Sequence, residues 1–266
     1  MPHAGLRRPA RRRAGRTALA ASLSLLVLAA AGLGPGARAA LVETGDTILH
    51  ADGGFQPRVL PRNHFAPIGF QGFFDIASKG GGRPDPLTQV VVEFDRDGRL
   101  DASGLPTCPA ESIAQATTEE ARASCRGAIV GSGHLGAVIT IGGSTYDASS
   151  PLTIFNGPPL GATPTVILHA HTTTPATQTF AIVVPIERIR GRFRYRATVD
   201  VPPILGSNGS LTHLDLDIGR RYRAGGRARS YVSARCSDSI LETRGRFSFG
   251  DGLLIEGAVQ KFCRAR

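Results

Sequence analysis

Between Pro67 and Phe262 the chain keeps returning to one pattern, a short β-branched or aromatic run closed by a cluster of Gly, Pro, Asn or Asp. Eleven such runs can be marked: Pro67–Ile76, Thr88–Asp95, Ala128–Val130, Leu135–Ile141, Thr163–His171, Gln178–Val184, Glu187–Val201, Leu211–Ile218, Arg229–Cys236, Ile240–Phe249 and Leu253–Phe262. Side chains branched at Cβ fit a pleated, half-buried surface better than a helix. The pattern predicts an antiparallel β-sandwich, either as one domain or as two packed halves. Leu41 to Asn63 is rich in polar residues and lacks a strong period, which leaves open whether it is ordered.

One interval reads as helical, between Cys108 and Cys125. Pro109 suits a first helical position, and Thr117-x-x-Glu120 has the spacing of a capping box. Three pairings of the four cysteines are possible. The simplest joins Cys108 to Cys125 and Cys236 to Cys263, so that each bond closes one local unit. The first bond would staple the helical insertion at both ends. A zinc site would ordinarily show a C-x-x-C pair, and none is present.

Residues 1–39 read as a secretory signal: an arginine-rich start, an apolar run from Thr17 to Leu33, a Gly34-Pro35-Gly36 break, and Ala37-Arg38-Ala39 before the cut. Cleavage there leaves a domain over residues 40–266, with no transmembrane segment and a secreted, extracellular or envelope-associated address. An even number of cysteines fits such an oxidising compartment.

The leader also dominates the charge. It carries seven of the 31 bases and none of the 21 acids, so the remainder is only about +3. Specific nucleic-acid binding is therefore not expected. The absence of Trp and the presence of only four Tyr argue further against base-stacking platforms.

Charge is nevertheless segregated: Glu187 to Arg266 holds 16 bases against 8 acids. Within it, Arg188, Arg190, Arg192, Arg194 and Arg196 recur at every second position. On a single strand they would line one face, about 6.6 Å apart. Guanidinium groups engage carboxylate or phosphate in a fork, so this row is a candidate surface for an acidic polymer or an acidic protein patch. Arg220, Arg221, Arg223, Arg227 and Arg229 add base without local acid. The competing expectation is a salt-bridged sheet face: Leu211–Ile218 places His213, Asp215 and Asp217 on one face and would neutralise the row if paired with it.

A second candidate is His169-x-His171, two imidazoles on one face of a strand. That spacing suits a metal, with His213, Asp215 or Asp217 as a possible third ligand. Two other motifs carry less. Gly131-x-Gly133-x-x-Gly136 matches a dinucleotide fingerprint as a string, but a strand follows it where a helix is needed, so it reads as a bend between strands. Asp95-x-Asp97-Gly98-x-x-Asp101 resembles a calcium loop in composition but lacks the spacing and terminal Glu of an EF-hand, and reads as a hairpin turn. There is no G-x-S-x-G elbow, and cysteines in disulfides leave no thiolate.

Several of these features together resemble a group of secreted β-rich proteins of high-GC actinobacteria: Gly104-Leu105-Pro106-x-Cys108-Pro109, Cys125, Ala128-x-Val130-Gly131-x-Gly133, Tyr231-x-Ser233-Ala234-x-Cys236, Phe249-x-Asp251-Gly252 and Cys263. The resemblance implies turns, disulfides and packing, and brings no activity with it. The sequence thus leads to the expectation of a secreted, non-enzymatic protein that needs no cofactor and acts through its arginines. A metal-binding protein or metal-dependent enzyme around His169 and His171 is the alternative.

Overall fold

The computed structural model of the protein describes residues 39–266, so the predicted leader, apart from Ala39, lies outside the described residues. The strands are β1 (Ala40–Thr44), β2 (Thr47–Gln56), β3 (Val59–Leu60), β4 (Ala66–Pro67), β5 (Gly69–Ser78), β6 (Leu87–Asp95), β7 (Gly98–Leu100), β8 (Ile129–Ile141), β9 (Ser144–Leu160) and β10 (Thr163–Thr172). They continue as β11 (Gln178–Arg188), β12 (Phe193–Asp200), β13 (Gly209–Ile218), β14 (Arg221–Ala224), β15 (Arg227–Ser230), β16 (Val232–Ala234), β17 (Ile240–Phe249), β18 (Leu254–Phe262) and β19 (Arg264–Ala265). A seven-residue helix, α1 (Thr118–Ser124), lies between two short 3-10 turns.

Twelve strands form one antiparallel sheet in the order β1-β2-β5-β13-β8-β9-β10-β11-β12-β6-β17-β18. The sheet coils until β18 lies against β1 and β2, so it is nearly closed. Right-handed strand twist makes such coiling natural once a sheet is this wide. The antiparallel β architecture and its disulfide-stapled helical insertion are as the sequence predicts. The two facing layers are the two halves of a single flattened barrel. Across its interior Phe74 meets Phe247 edge-on at 5.4 Å, and Phe70 meets Phe94 at 5.6 Å.

Alternation sets the two faces. On β11, Phe180, Ile182, Val184 and Ile186 point inward, and on β12 Tyr195, Ala197 and Val199 do so. The outer face carries His, Asp, Glu and Arg. That is the reverse of the polarity a membrane-spanning barrel requires.

Small elements cover one end: the sheet β4-β16-β7, the pair β14-β15, and the parallel pair β3-β19. There the Cys236–Cys263 disulfide packs with Phe55, Leu60 and Ile68. At the other end the connection after β12 places Ile204 beside Leu211, and Gln178 holds it by donating to Pro203 O and accepting from Leu205 N.

The insertion covers the outside of the sheet. The second disulfide, Cys108–Cys125, joins Ile113, Ala121 and Ala128 over Phe155 of β9 and Ile167 of β10. The predicted capping box is present: Glu120 N donates to Thr117 Oγ1, and Thr117 N donates to Glu120 Oε2 at 2.9 Å.

Two stretches without a marked strand are strands, and three readings need correction. Leu41–Asn63 contributes most of β1 with β2 and β3, and Ser144–Leu160, where no strand is marked, is the longest described strand. The glycine string is no bend. Gly131, Gly133 and Gly136 lie within the continuous strand β8, and a Cβ on Gly133 would stand 1.9 Å from Asp215 O. These glycines let β13 approach closely. Asp97-Gly98 is a turn, but β7 leaves β6 and pairs with β16. Finally, Glu187–Val201 is a hairpin rather than one strand.

Candidate functional site

The inward faces leave a cavity of about 390 Å³ inside the barrel. It lies between two clusters of buried side chains. One contains Val130, Ile154, Val184, Tyr195 and Tyr231, and the other Phe74, Val90, Leu211, Phe247 and Ile255. Leu135, Val199 and Leu214 touch both clusters and remain only half-buried. Phe70, Phe94, Leu168 and Ile182 are likewise inward-facing and half-buried. Apolar side chains thus face space that no other described side chain fills.

The polar groups at the cavity margin are mostly engaged. Ser150 Oγ donates to His171 O at 2.8 Å, and Leu100 N donates to the Tyr195 hydroxyl. Glu242 binds Arg192 and accepts from Gln260 at 2.7 Å. Tyr231, fully buried, leaves its hydroxyl without a partner among the described residues, and burial pushes its phenol above the usual range. Among the described residues the charged members of the lining are Asp52, Asp95, Arg99 and Glu242, and most of the rest is apolar or small. Its chemistry is that of apolar contact.

The five candidate arginines do not form one row. β11 ends at Arg188, β12 begins at Phe193, and Ile189 N donates to Arg194 O across the turn between them. Paired positions such as Ile186–Ala197 and Arg188–Tyr195 have odd sums, so residues of equal parity on the two strands face opposite sides. Arg188 therefore shares the inner side with Tyr195 and stacks over its ring at 5.9 Å, while Arg194 and Arg196 point outward. Arg190 and Arg192 belong to the turn. Neutralising acids come from β6 and β17: Arg196 pairs with Glu93 at 2.7 Å, and Arg192 with Glu242. Arg194 lies over Phe65 at 5.3 Å. The expected partner strand, β13, pairs instead with β5 and β8.

His169 and His171 share the outer face of β10 but differ in surroundings. His169 is fully buried beneath the insertion, with Nε2 3.1 Å from Ala116 O. Burial lowers its pKa. His171 Nδ1 meets Thr179 Oγ1 at 2.8 Å. The suggested third ligands lie on β13, separated from β10 by β8 and β9. Among the described residues no group of three or more His, Cys, Asp or Glu side chains is arranged to hold a metal ion.

His213 joins a different cluster, on the outer face of β2, β5, β13 and β8. Its Nδ1 lies 2.7 Å from Asp75 and its Nε2 3.2 Å from Asp215. His50 adjoins Asp75, and His134 adjoins Asp215 at 3.3 Å. The hydrogen bond to Asp75, opposed by partial burial and helped by Asp215, raises the His213 pKa.

The aspartates of the calcium-like motif are acceptors for neighbouring chain. Asp97, fully buried, takes hydrogen bonds from Arg235 Nε at 2.7 Å and Ser237 N at 2.8 Å. Asp95 accepts from the Asp97 and Glu242 amides, and Asp101 pairs with Arg229.

Sequence reasoning found the inward-facing runs but not the cavity. The alternation that identifies Phe180, Ile182 and Val184 as one face does not state how far away the opposite wall stands. No protein-family model, curated protein or solved structure matches the chain.

Proposed function

We propose that the protein is an exported, non-enzymatic binder of an apolar small molecule, which it holds inside the barrel. The single observation that carries this reading is the apolar cavity of about 390 Å³, within the range of small-molecule sites. Protein interiors are ordinarily packed like organic crystals. At about 24 cal/mol per Å³, leaving 390 Å³ unfilled forgoes about 9 kcal/mol, comparable to the whole net stability of a domain. A ligand that fills the space would recover much of that deficit. Two disulfides and the arginine-rich leader support an extracellular setting.

Fluorescence titration with N-phenyl-1-naphthylamine, an uncharged apolar probe, tests the reading. Saturable one-site binding that raises the thermal midpoint is expected, because a ligand of the folded state stabilises it by mass action. Absence of saturable binding would refute it.

A second reading keeps the basic surface. Arg221, Arg223 and Arg227 on β14 and β15 make no ion pair among the described residues, and could receive an acidic polymer or protein. Co-sedimentation with bacterial envelopes that weakens steeply with salt would favour it.

A further inference from the structure

Ten strands of the twelve-stranded sheet are hydrogen-bonded on both sides, while β1 and β18 each have one free edge. These edges face each other. A Cβ on Gly257 of β18 would stand 3.0 Å from Cβ of Ala40 on β1. β1 is short and pairs only with Thr47–Ala51 of β2. Beyond Ala51, β2 runs on as Asp52-Gly53-Gly54 with no strand on that edge among the described residues. Gly53 and Gly54 on one side, and Gly257 and Val259 on the other, all line the cavity. Among the described residues one ion pair spans this stretch: Lys261 Nζ lies 2.7 Å from Asp52 Oδ1, with the lysine side chain only 10% exposed. The Gly53 amide also donates to Asp52 Oδ1, fixing the carboxylate.

We infer that the seam between β18 and β1–β2 is the route by which a ligand reaches the cavity, and that Lys261–Asp52 is its latch. This rests on the apolar-ligand reading. Parting the sheet elsewhere breaks a ladder of backbone hydrogen bonds, whereas β18 and β1–β2 share no ladder among the described residues, and the chain is clamped only past the seam, where β3 pairs with β19 and Arg264 N donates to Arg58 O. The ends are more firmly held. One is covered by β4-β16-β7 beside the Cys236–Cys263 disulfide, and the other by the connection that Gln178 ties down. The seam offers small residues, one short strand and one ion pair, with Arg58 Nη1 donating to Phe262 O at its far end.

The test follows the rate of probe uptake. Ala40→Cys with Gly257→Cys places two Cβ atoms close enough to be bridged after a slight separation. The oxidised chain is expected to take up and release N-phenyl-1-naphthylamine at least about tenfold more slowly, as for a closed gate. Mild reduction should restore the rate, with the unmodified chain unchanged under the same treatment. Lys261→Met, which removes the latch without stitching the seam, is expected to accelerate exchange with little change in equilibrium affinity. An oxidised chain that exchanges at the original rate would overturn the seam while leaving equilibrium binding intact. Should the double-cysteine chain fail to fold, unchanged rates in both Lys261→Met and Asp52→Asn would overturn it equally. No saturable binding by the unmodified chain would overturn the apolar-ligand reading and this inference with it.

Discussion

The two faces of β9 and β10 carry apolar side chains into two different surroundings. Outward, Phe155 and Ile167 meet Ile113, Ala121, Ala128 and the Cys108–Cys125 disulfide, and all of these residues except Cys125 are essentially inaccessible. Inward, Leu168 and its neighbours Leu135 and Ile182 remain half-buried around a cavity of about 390 Å³. The same strands take part in both. The chain packs densely where the insertion must be held to the sheet, and leaves space where the sheet encloses an interior. The cavity is therefore a local property of the barrel, not a sign of loose packing throughout.

Truncation should separate the two regions most strongly. Phe155→Ala is expected to cost about 3–5 kcal/mol in denaturant unfolding, as for a fully packed aromatic. Leu135→Ala, already beside open space, should cost less than about 2 kcal/mol, below the usual range for buried leucine. Equal losses would remove the distinction.

The covered end of the barrel should behave like the outer core. Asp97→Asn should cost about 1.5–3 kcal/mol, because the buried carboxylate loses charge-assisted bonds to Arg235 and Ser237. Burial opposes ionisation of Asp97, but the hydrogen bonds from Ser237 and Arg235 outweigh it and hold the carboxyl below its usual range. A depressed folded-state pKa contributes stability that is present above the unfolded pKa and lost as pH falls through the folded value. Acid unfolding of the original chain should include this loss, and Asp97→Asn should flatten it.

Enlargement gives an intermediate contrast. Ala121→Leu should destabilise by about 1–3 kcal/mol through overpacking beneath the insertion. The smallest effect concerns His213 on the outer face. Its pKa is raised, so its contribution is fully present below the unfolded value near 6.5 and fades as pH rises through the folded value. Asp75→Asn should lower the His213 titration midpoint, read from its imidazole resonances. An unmoved midpoint would detach Asp75 from that cluster.

Much of the fold was legible because strand alternation and turn residues are local properties. Both disulfides are the simplest of the three pairings the sequence allows, and the Thr117–Glu120 capping box follows from its motif. β9 escaped because Pro151, Pro158 and Pro159 are ordinarily foreign to a strand interior, yet here they lie within one. The arginine row was misread because equal spacing along the chain means equal facing only within one strand. The turn over residues 189–192, with Gly191 at φ 110°, reverses the chain and puts Arg188 and Arg196 on opposite sides. His213 and Asp75 are 138 residues apart, and only the pairing of β13 with β5 brings them together. The cavity depends on the distance between walls, which no local pattern encodes.

If the barrel interior is a ligand site, filling it through Val199→Phe should displace the ligand without loosening the fold. Val199 faces the cavity between the two inner clusters. Probe affinity and thermal midpoint would be measured on the same samples of this variant and the original chain. The variant is expected to lose saturable binding of N-phenyl-1-naphthylamine while its thermal midpoint stays level or rises. Undiminished binding, or a lowered midpoint of the kind an already full core gives, would contradict it.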